Sequence, residues 1–418
     1  MNIVIIGGGF AGINLAKELL NQKGIQVTLV DKNNYNFFPP LIYQVATAFL
    51  EPSSISYPFR KFFAGKKNLQ FRLGELLKVV PLENKIILNN GELSYDQLVF
   101  ATGAETSYFG MENVQKNAIP MKTLNDAIEM RNIILKNLEK AAICKDIRKR
   151  RKLLTIVVAG GGPTGVELSG MFAEMRKSIF HKEYPELGTS ASNIYLVDGA
   201  DAILAPMSKA SQDDTFKALT ELGVVIKLNT RVVDYVDDTV YFSNGETIQT
   251  KNLIWAAGVS AKAFEGIPME SYGRGKRMAT DAFNKVNATQ NIYAIGDTCL
   301  QLTDKHFPEG HPQVAQVAIQ QGINLADNFK LMVKNKPLLP FKYNDKGSMA
   351  IIGKNKAVVD LPKPKLHFNG FFAWLIWLFI HLISLISYRN RVKTFYNWMI
   401  AYFSSNQSLR MIIRPGKN

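Results

Sequence analysis

Asn2 to Ile6, a short run dominated by β-branched residues, empties directly into Gly7-Gly8-Gly9-Phe10-Ala11-Gly12, and few folds accept that junction. Ile13 to Leu20 follows with helical spacing, and a second apolar run, Val27 to Val30, ends in Asp31. Strand, glycine turn, helix, strand and acid in this order open an α/β unit that binds a dinucleotide. Gly7 permits the tight turn, Gly9 lets backbone approach a pyrophosphate, and Gly12 lets the helix pack closely on the strand. The helix N-terminus faces the phosphates, and Asp31 is placed to accept hydrogen bonds from the ribose hydroxyls. The rival reading is a structural turn in some other α/β unit.

The same order of signals returns later in the chain. Leu153 to Ala159 reads as a buried strand, Gly160-Gly161-Gly162-Pro163-Thr164-Gly165 as the turn, Val166 to Arg176 as the helix, and Ile194 to Val197 as a strand ending in Asp198. The distance from Gly165 to Asp198 exceeds the usual about 20 residues, and an insertion around Tyr184-Pro185-Glu186-Leu187-Gly188 accounts for it. An acid at that strand end repels a ribose 2′-phosphate, and no Arg follows closely in sequence, so NADH is expected rather than NADPH. Asn252 to Ala257 is another strand running into Gly258, and Asn291 to Ile295 runs into Gly296-Asp297. A carboxylate at a strand's carboxyl end sits where ligands of open α/β sheets bind, so Asp297 is expected at a flavin's ribityl chain, with a helix N-cap as the plainer alternative.

Between these units, Asn36 to Ala46 has too many prolines for a helix and is too apolar for an exposed loop; it suits a flat apolar partner such as an isoalloxazine ring, or a buried interdomain loop. Phe71 to Leu88 reads as strands with a turn at Asn89-Asn90-Gly91, and Gln97 to Ala101 as a strand ending in Thr102-Gly103. Thr123 to Ile143 is a long amphipathic helix, and the run Arg148 to Lys152 a solvated loop or a lipid-facing patch. Gln316 and Gln320 share one face of an otherwise apolar helix and read as surface glutamines or as holders of a neutral carbonyl compound.

With 418 residues the chain has room for two or three domains. Its start leaves no room for a signal peptide before the first strand, so it is expected to begin in the cytoplasm. Two isolated cysteines, Cys144 and Cys299, exclude a dithiol centre and a zinc cluster, and no metal is expected. The net charge of +15 raises nucleic acid as a partner, but from Leu361 to Asn418 stand eight basic residues, among them Arg389, Arg391, Lys393, Arg410, Arg414 and Lys417, and no acid. Beside so many aromatics that charge suits a membrane surface better.

Both glycine fingerprints, the Phe37 to Ala46 stretch, Thr102-Gly103, Ala257-Gly258, Gly296-Asp297, the Ala-Gln-x-Ala-x-Gln helix and Ser348 to Leu361 together resemble the type II NADH dehydrogenases, non-electrogenic flavoprotein NADH:quinone oxidoreductases. The resemblance covers nearly the whole chain. It implies an α/β fold of two Rossmann-like dinucleotide-binding domains, the NAD domain inserted in the FAD domain, plus a C-terminal helical membrane-anchoring segment. The parts implied are residues 1–115 and 271–335 for FAD, 116–270 for NADH with a connecting helix, and 336–418 for membrane anchoring. FAD, held tightly without a covalent bond, would lie against Gly7, Gly9, Phe10, Ala11, Gly12, Asp31, Lys32, Thr102, Gly103, Gly296, Asp297 and Gln316. NADH would lie against Gly160, Gly162, Pro163, Thr164, Gly165, Asp198, Ala257 and Gly258. Glu167 matches a family glutamate discussed as a proton relay, its plainer reading being a first-turn acid complementing the helix dipole. Gln316 and Gln320 would border the quinone. Hydride would pass from NADH to flavin N5 and two electrons onward to a membrane quinone, without proton pumping. Two departures stand out: Asp198 where many relatives have Glu, and an unusually apolar C-terminal segment. Sulfide:quinone oxidoreductase is the near rival, but its cysteine relay has poor material here; ferredoxin and disulfide reductases lack their Cys-x-x-Cys, and a nucleic-acid-binding role fits the apolar tail badly.

Phe371 to Ser387 carries no formal charge and is led by Phe371, Phe372 and Trp374. As a helix it would reach about 25 Å, short of a hydrocarbon core of about 30 Å. A single span from a cytoplasmic domain would also carry Arg389, Arg391 and Lys393 outside, against the positive-inside tendency. Val392 to Phe403 reads as amphipathic, with Phe395, Trp398, Met399 and Tyr402 on one side. The expectation is an anchor lying in or dipping into the inner leaflet, on the cytoplasmic face of the cell membrane. A short span around 371–388, and a homodimer covering this surface, are the alternatives.

Overall fold

A computed structural model describes residues 1–177, 181–187, 193–404 and 409–413. Gly188, Arg414 and Lys417, which entered the sequence reading, lie outside the described residues. The chain divides into two compact units, one of Met1–Phe37, Tyr57–Glu105 and Val259–Asp345, the other of Phe38–Ser56, Thr106–Gly258 and Lys346–Asn418.

The first unit is built on a parallel sheet with strand order Ile292–Ala294, Gln97–Phe100, Asn2–Ile6, Gln26–Asp31, Leu69–Leu73. The strand Asn2–Ile6 runs at its centre, and Ile3, Val4, Ile5 and Ile6 are buried, as a parallel strand covered on both faces requires. The helix Phe10–Glu18 packs against the helix Ala315–Val333. Gly322 permits the close approach: a Cβ there would stand 2.6 Å from the Ala11 carbonyl oxygen.

The second unit repeats the plan with the order Ile119–Pro120, Asn252–Trp255, Ile156–Ala159, Ile194–Val197, Val224–Lys227. The helix Leu124–Ala142 starts at a capping box, Thr123 accepting from the Asp126 amide while Asp126 accepts from the Thr123 amide. The second unit also holds an antiparallel sheet, Ser348–Gly353, Lys356–Pro362 and Lys365–Asn369, and two helices, Gly370–Ser384 and Tyr388–Ser404.

Four expectations are corrected. The basic run 148–152 is helical, within Ile147–Leu154, because Asp146 caps it by accepting from the amides of Arg148 and Lys149 at 2.9 and 3.1 Å; the strand therefore begins at Ile156, not Leu153. The proline stretch does form helix, a 3-10 turn at Pro39–Leu41 leading into Ile42–Ala46, since proline is tolerated in a first turn. The uncharged tail helix stops at Ser384 after 15 residues, about 22 Å at 1.5 Å per residue, and no helix among the described residues is long and apolar enough to cross a membrane. Finally, Trp398 does not share an exposed face with Phe395 and Met399: it is buried with Asn390 and Thr394, while Phe395, Tyr396, Met399 and Phe403 stay exposed.

Candidate functional site

In the first unit the glycine turn has the shape its residues imply. Gly7 has φ +101°, where a side chain is strained, and a Cβ on Gly12 would overlap the Gly7 carbonyl oxygen. Gly9 is different: nothing lies within 4 Å of where its Cβ would be. No side chain caps the helix there, and Phe10 and Ala11 form its first turn. Asp31 accepts the Gly8 amide at 2.6 Å through one carboxylate oxygen and the Asn33 amide at 2.7 Å through the other. Burial pushes its pKa up against those two amides and the neighbouring Lys32 charge, and Lys32 itself is exposed. A carboxylate has capacity for about two further acceptor bonds beyond these.

Gly296, at φ +74°, fits between Ala11 and Ala318, its would-be Cβ lying 3.2 and 3.4 Å from theirs, and its amide donates to Gln321 at 2.7 Å. This brings the Gly296-Asp297 turn and the glutamine helix to the first glycine turn. Asp297 lies inside the 3-10 turn Gly296–Thr298 and does not cap it, so the N-cap alternative falls. Just past the strand Gln97–Phe100, Thr102 has a buried hydroxyl with no partner among the described residues, and Gly103, at φ +67°, is open on its Cβ side. An open glycine, an uncapped helix end and an unmatched hydroxyl fit a dinucleotide cofactor.

Gln316 is half-buried and accepts a long hydrogen bond from the Tyr343 hydroxyl, 3.4 Å. Gln320 is engaged more firmly, donating to the Asn344 carbonyl at 2.9 Å and accepting from its amide at 3.0 Å.

The second unit repeats the turn. Gly160 has φ +113° and faces Ala256 and Ala257, a Cβ on Gly165 would overlap the Gly160 carbonyl, and Gly162 is open. Pro163 and Thr164 start the helix Pro163–Met175. Asp198 accepts from the amides of Gly161 and of Ala200, the latter at 2.7 Å. Gly258 is held against the Phe109 ring, 2.5 Å from its would-be Cβ.

Further along the same helix, Glu167, Gly170 and Glu174 form one face against the C-terminal sheet. A Cβ on Gly170 would overlap the Ile352 carbonyl, the Ile351 amide bonds to Glu167, and the Lys354 amide to Glu174. Glu167 is 8% exposed, and burial raises its pKa well above the ordinary carboxylate range, only partly offset by the Ile351 amide. It lies beyond the first turn, so the helix-dipole reading does not describe it.

Three features had no signal in the sequence reading. The Arg231 side chain lies against Gly199, 2.7 Å from its would-be Cβ, so an arginine does stand beside the Asp198 strand end, reached through space. Arg131 is 3% exposed, and its Nε and Nη2 have no acceptor among the described residues. Tyr43 and Gln44 lie in the stretch already read as too apolar to be exposed, but the helices it is buried against, Leu124–Ala142 and Pro163–Met175, had no sequence signal. A residue pattern in one dimension carries none of these contacts.

Residues 1–322 match the pyridine nucleotide-disulphide oxidoreductase family, and residues 346–413 match the NDH2 C-terminal domain. The chain is 35% identical over 417 residues to the type II NADH:quinone oxidoreductase NdhA of Mycobacterium tuberculosis, covering 96% of this chain and 87% of that one. Its fold is similar to NDH2 of Plasmodium falciparum, solved in complex with NADH, with TM-score 0.89, 22% identity and 99% of both chains covered. It is also similar to the sulfide:quinone oxidoreductase of Aquifex aeolicus, at TM-score 0.73 and 19% identity over 97% of this chain and 96% of that one.

Proposed function

Because the chain belongs to the type II NADH:quinone oxidoreductases within the pyridine nucleotide-disulphide oxidoreductase family, we propose that it works as such an enzyme through the residues described above. Its reaction oxidises NADH and reduces a quinone. FAD, when bound, supplies the chemistry: it takes the hydride and hands on two electrons. The Gly7 turn, the helix from Phe10, Asp31, Thr102, Gly103 and Asp297 hold FAD. The Gly160 turn, Asp198, Ala257 and Gly258 hold NADH, and the Asp198 carboxylate disfavours a 2′-phosphate.

Burial penalises the Glu167 carboxylate and favours its protonated form, and Glu167 gives its proton to the quinone as electrons arrive. Gln316 orients the quinone head group, and Gln320 fixes the segment around Asn344 beside it.

The C-terminal helices dock on the inner leaflet of the cell membrane. What supports this is exposure: Phe372, Phe379, Tyr388, Phe395, Tyr396 and Phe403 are open to solvent on a segment that bears basic residues and no acid. Extraction by detergent but not by high salt is expected; release by salt alone would refute the docking. A dimer that persists in detergent would assign the surface to a second copy instead.

The observation that carries the enzymatic reading is the pair of glycine turns, each open at its middle glycine, in a chain 35% identical to a type II enzyme over 417 residues. Anaerobic addition of NADH to the purified protein should bleach a yellow flavin absorbance, and quinone should restore it. Bleaching that quinone cannot reverse would exclude quinone as the acceptor.

A further inference from the structure

A line of buried polar side chains runs from the last helix toward Glu167. The Trp398 indole N–H donates to Gln44 Oε1 at 2.8 Å, and Gln44 Nε2 donates to the Tyr43 hydroxyl at 2.8 Å. Tyr43 is 1% exposed, Gln44 3% and Trp398 8%. The order of donors is fixed by chemistry. An indole nitrogen only donates, so it must face the amide oxygen, which turns the amide nitrogen toward Tyr43. The Tyr43 oxygen therefore accepts from Gln44, and its own O–H has to point elsewhere. The helix Ile42–Ala46, which carries Tyr43, packs against Pro163–Met175, whose carboxylates are Glu167 and Glu174, and Glu174 is already engaged by the Lys354 amide. The Trp377 ring meets Tyr43 edge-on with centroids 6.4 Å apart.

We propose that Trp398 and Gln44 are positioning residues that aim the Tyr43 hydroxyl at Glu167, so that Tyr43 donates a hydrogen bond to the Glu167 carboxylate once its proton has been released. This rests on the assignment of Glu167 as proton donor. No proton passes through Tyr43: Glu167 gives its proton to the quinone and regains one from water, while Tyr43 keeps its own and steadies the charge in between. The hydrogen bond favours the ionised form and so counters part of the burial effect. The last helix, with Phe395, Tyr396 and Phe403 on its exposed side, thereby sets the readiness of Glu167 to part with its proton.

The test uses the full-length holoenzyme and two readouts, the infrared carboxyl band that Glu167→Gln removes, titrated with pH, and the basic limb of kcat for quinone reduction. Tyr43→Phe deletes only the hydroxyl and should move both upward by about one pH unit, the size expected for one hydrogen bond to a charged group. Trp398→Phe deletes the indole N–H, freeing the Gln44 amide to rotate its oxygen toward Tyr43 and draw that hydroxyl away from Glu167. It should therefore reproduce most of the same shift from a residue that Glu167 does not touch. In the Glu167→Gln background neither substitution should move the limb. If Tyr43→Phe and Trp398→Phe lower thermal stability yet leave band and limb in place, the three residues are structural and the proposal is overturned. If Glu167→Gln itself removes no titrating band and leaves the limb intact, the assignment of Glu167 fails, and the proposal with it, by a result distinct from the first.

Discussion

Asp31 holds the backbone amide of Gly8 at 2.6 Å, tying the acid that ends one strand to the turn that ends its neighbour. Asp198 does the same for Gly161. Each acid thus shapes its turn, and in the proposed function it also faces a ribose, so Asp31→Ala should cost both. The flavin content of the purified protein should fall at least about tenfold, with a lower melting temperature in the apoprotein, since losing a charged acceptor strands a partly buried amide at about 1–3 kcal/mol. Full flavin content in Asp31→Ala would place FAD elsewhere.

Arg231 changes the expectation for coenzyme choice. Its side chain already lies beside Gly199, one residue after the acid, so Asp198→Ala alone should shift the ratio of kcat/KM for NADPH over NADH by about tenfold or more, without any added arginine. Adding Arg231→Ala to it should erase the gain. An unchanged ratio in Asp198→Ala would mean the ribose does not reach this strand end.

Gly9 and Gly12 separate ligand binding from folding. A methyl on Gly12 would overlap the Gly7 carbonyl, backbone against backbone, so Gly12→Ala should destabilise the apoprotein by about 2 kcal/mol or more. At Gly9 nothing stands within 4 Å, so Gly9→Ala should leave the apoprotein's melting temperature within about 1 °C of the parent while weakening FAD retention. Gly162→Ala and Gly165→Ala should split in the same way, with the KM for NADH as the ligand readout. Equal loss of stability in Gly9→Ala and Gly12→Ala would show that both glycines serve packing.

Gln320 and Gln316, one helical turn apart, should behave differently. Both atoms of the Gln320 amide are engaged with the Asn344 backbone, so Gln320→Leu should remove two hydrogen bonds that water only partly replaces at this exposed segment and lower stability by about 1 kcal/mol. Gln316 accepts a 3.4 Å hydrogen bond from Tyr343 and has other interactions besides. Gln316→Leu should raise the quinone KM several-fold with flavin reduction by NADH still fast. Slow flavin reduction in Gln316→Leu would remove it from the quinone's side of the reaction.

Much of this was legible in one dimension because the glycine turns are local: strand, turn, helix and acid lie between Met1 and Asp31 in the first unit and, with its insertion, between Leu153 and Asp198 in the second, and each glycine's role follows from its offset. The glutamine helix was legible for the same reason. What escaped is what folding brings together from afar. Nothing beside Asp198 in sequence points to Arg231, and nothing in Phe37 to Ala46 says that prolines would start a helix whose Tyr43 and Gln44 look inward. Trp398 was misassigned because a periodicity of aromatics defines a stripe without saying which part of it meets protein. On the helix Tyr388–Ser404, Asn390, Thr394 and Trp398 lie four residues apart and are buried, and two of the three are polar. A hydrophobic stripe could not have marked that face, because its hydrogen bonds go to Ser56, Ser54 and Gln44.

His367 supplies a stability device with a defined pH window. Its Nδ1 meets Asp360 at 3.0 Å and its Nε2 meets Asp214 at 2.9 Å, joining the helix Lys209–Glu221 to the strands Lys356–Pro362 and Lys365–Asn369. Burial pulls the imidazole pKa down, but the two carboxylates outweigh it and the net shift is upward from 6.5. Burial likewise opposes the carboxylates, yet hydrogen bonds win: those from Asn369 and His367 hold Asp214 below its ordinary 3.8, and those from Ser208, His367 and Ser211 do so for Asp360. Lys217 faces Asp214 from the same helix and pulls in the same direction. A raised histidine stabilises fully below 6.5 and loses that contribution as pH rises through its folded value; lowered carboxylates stabilise fully above 3.8 and lose theirs on acidification. The clamp is therefore strongest between 3.8 and 6.5. His367→Gln, which keeps hydrogen-bonding capacity without the charge, should cost about 1 kcal/mol near the middle of that window, discounted for partial solvent exposure, and much less at alkaline pH. Melting temperatures of parent and variant should differ by about 2 °C at the acidic end and converge as pH rises; a difference that stays constant with pH would show that the imidazole is neutral between its two carboxylates.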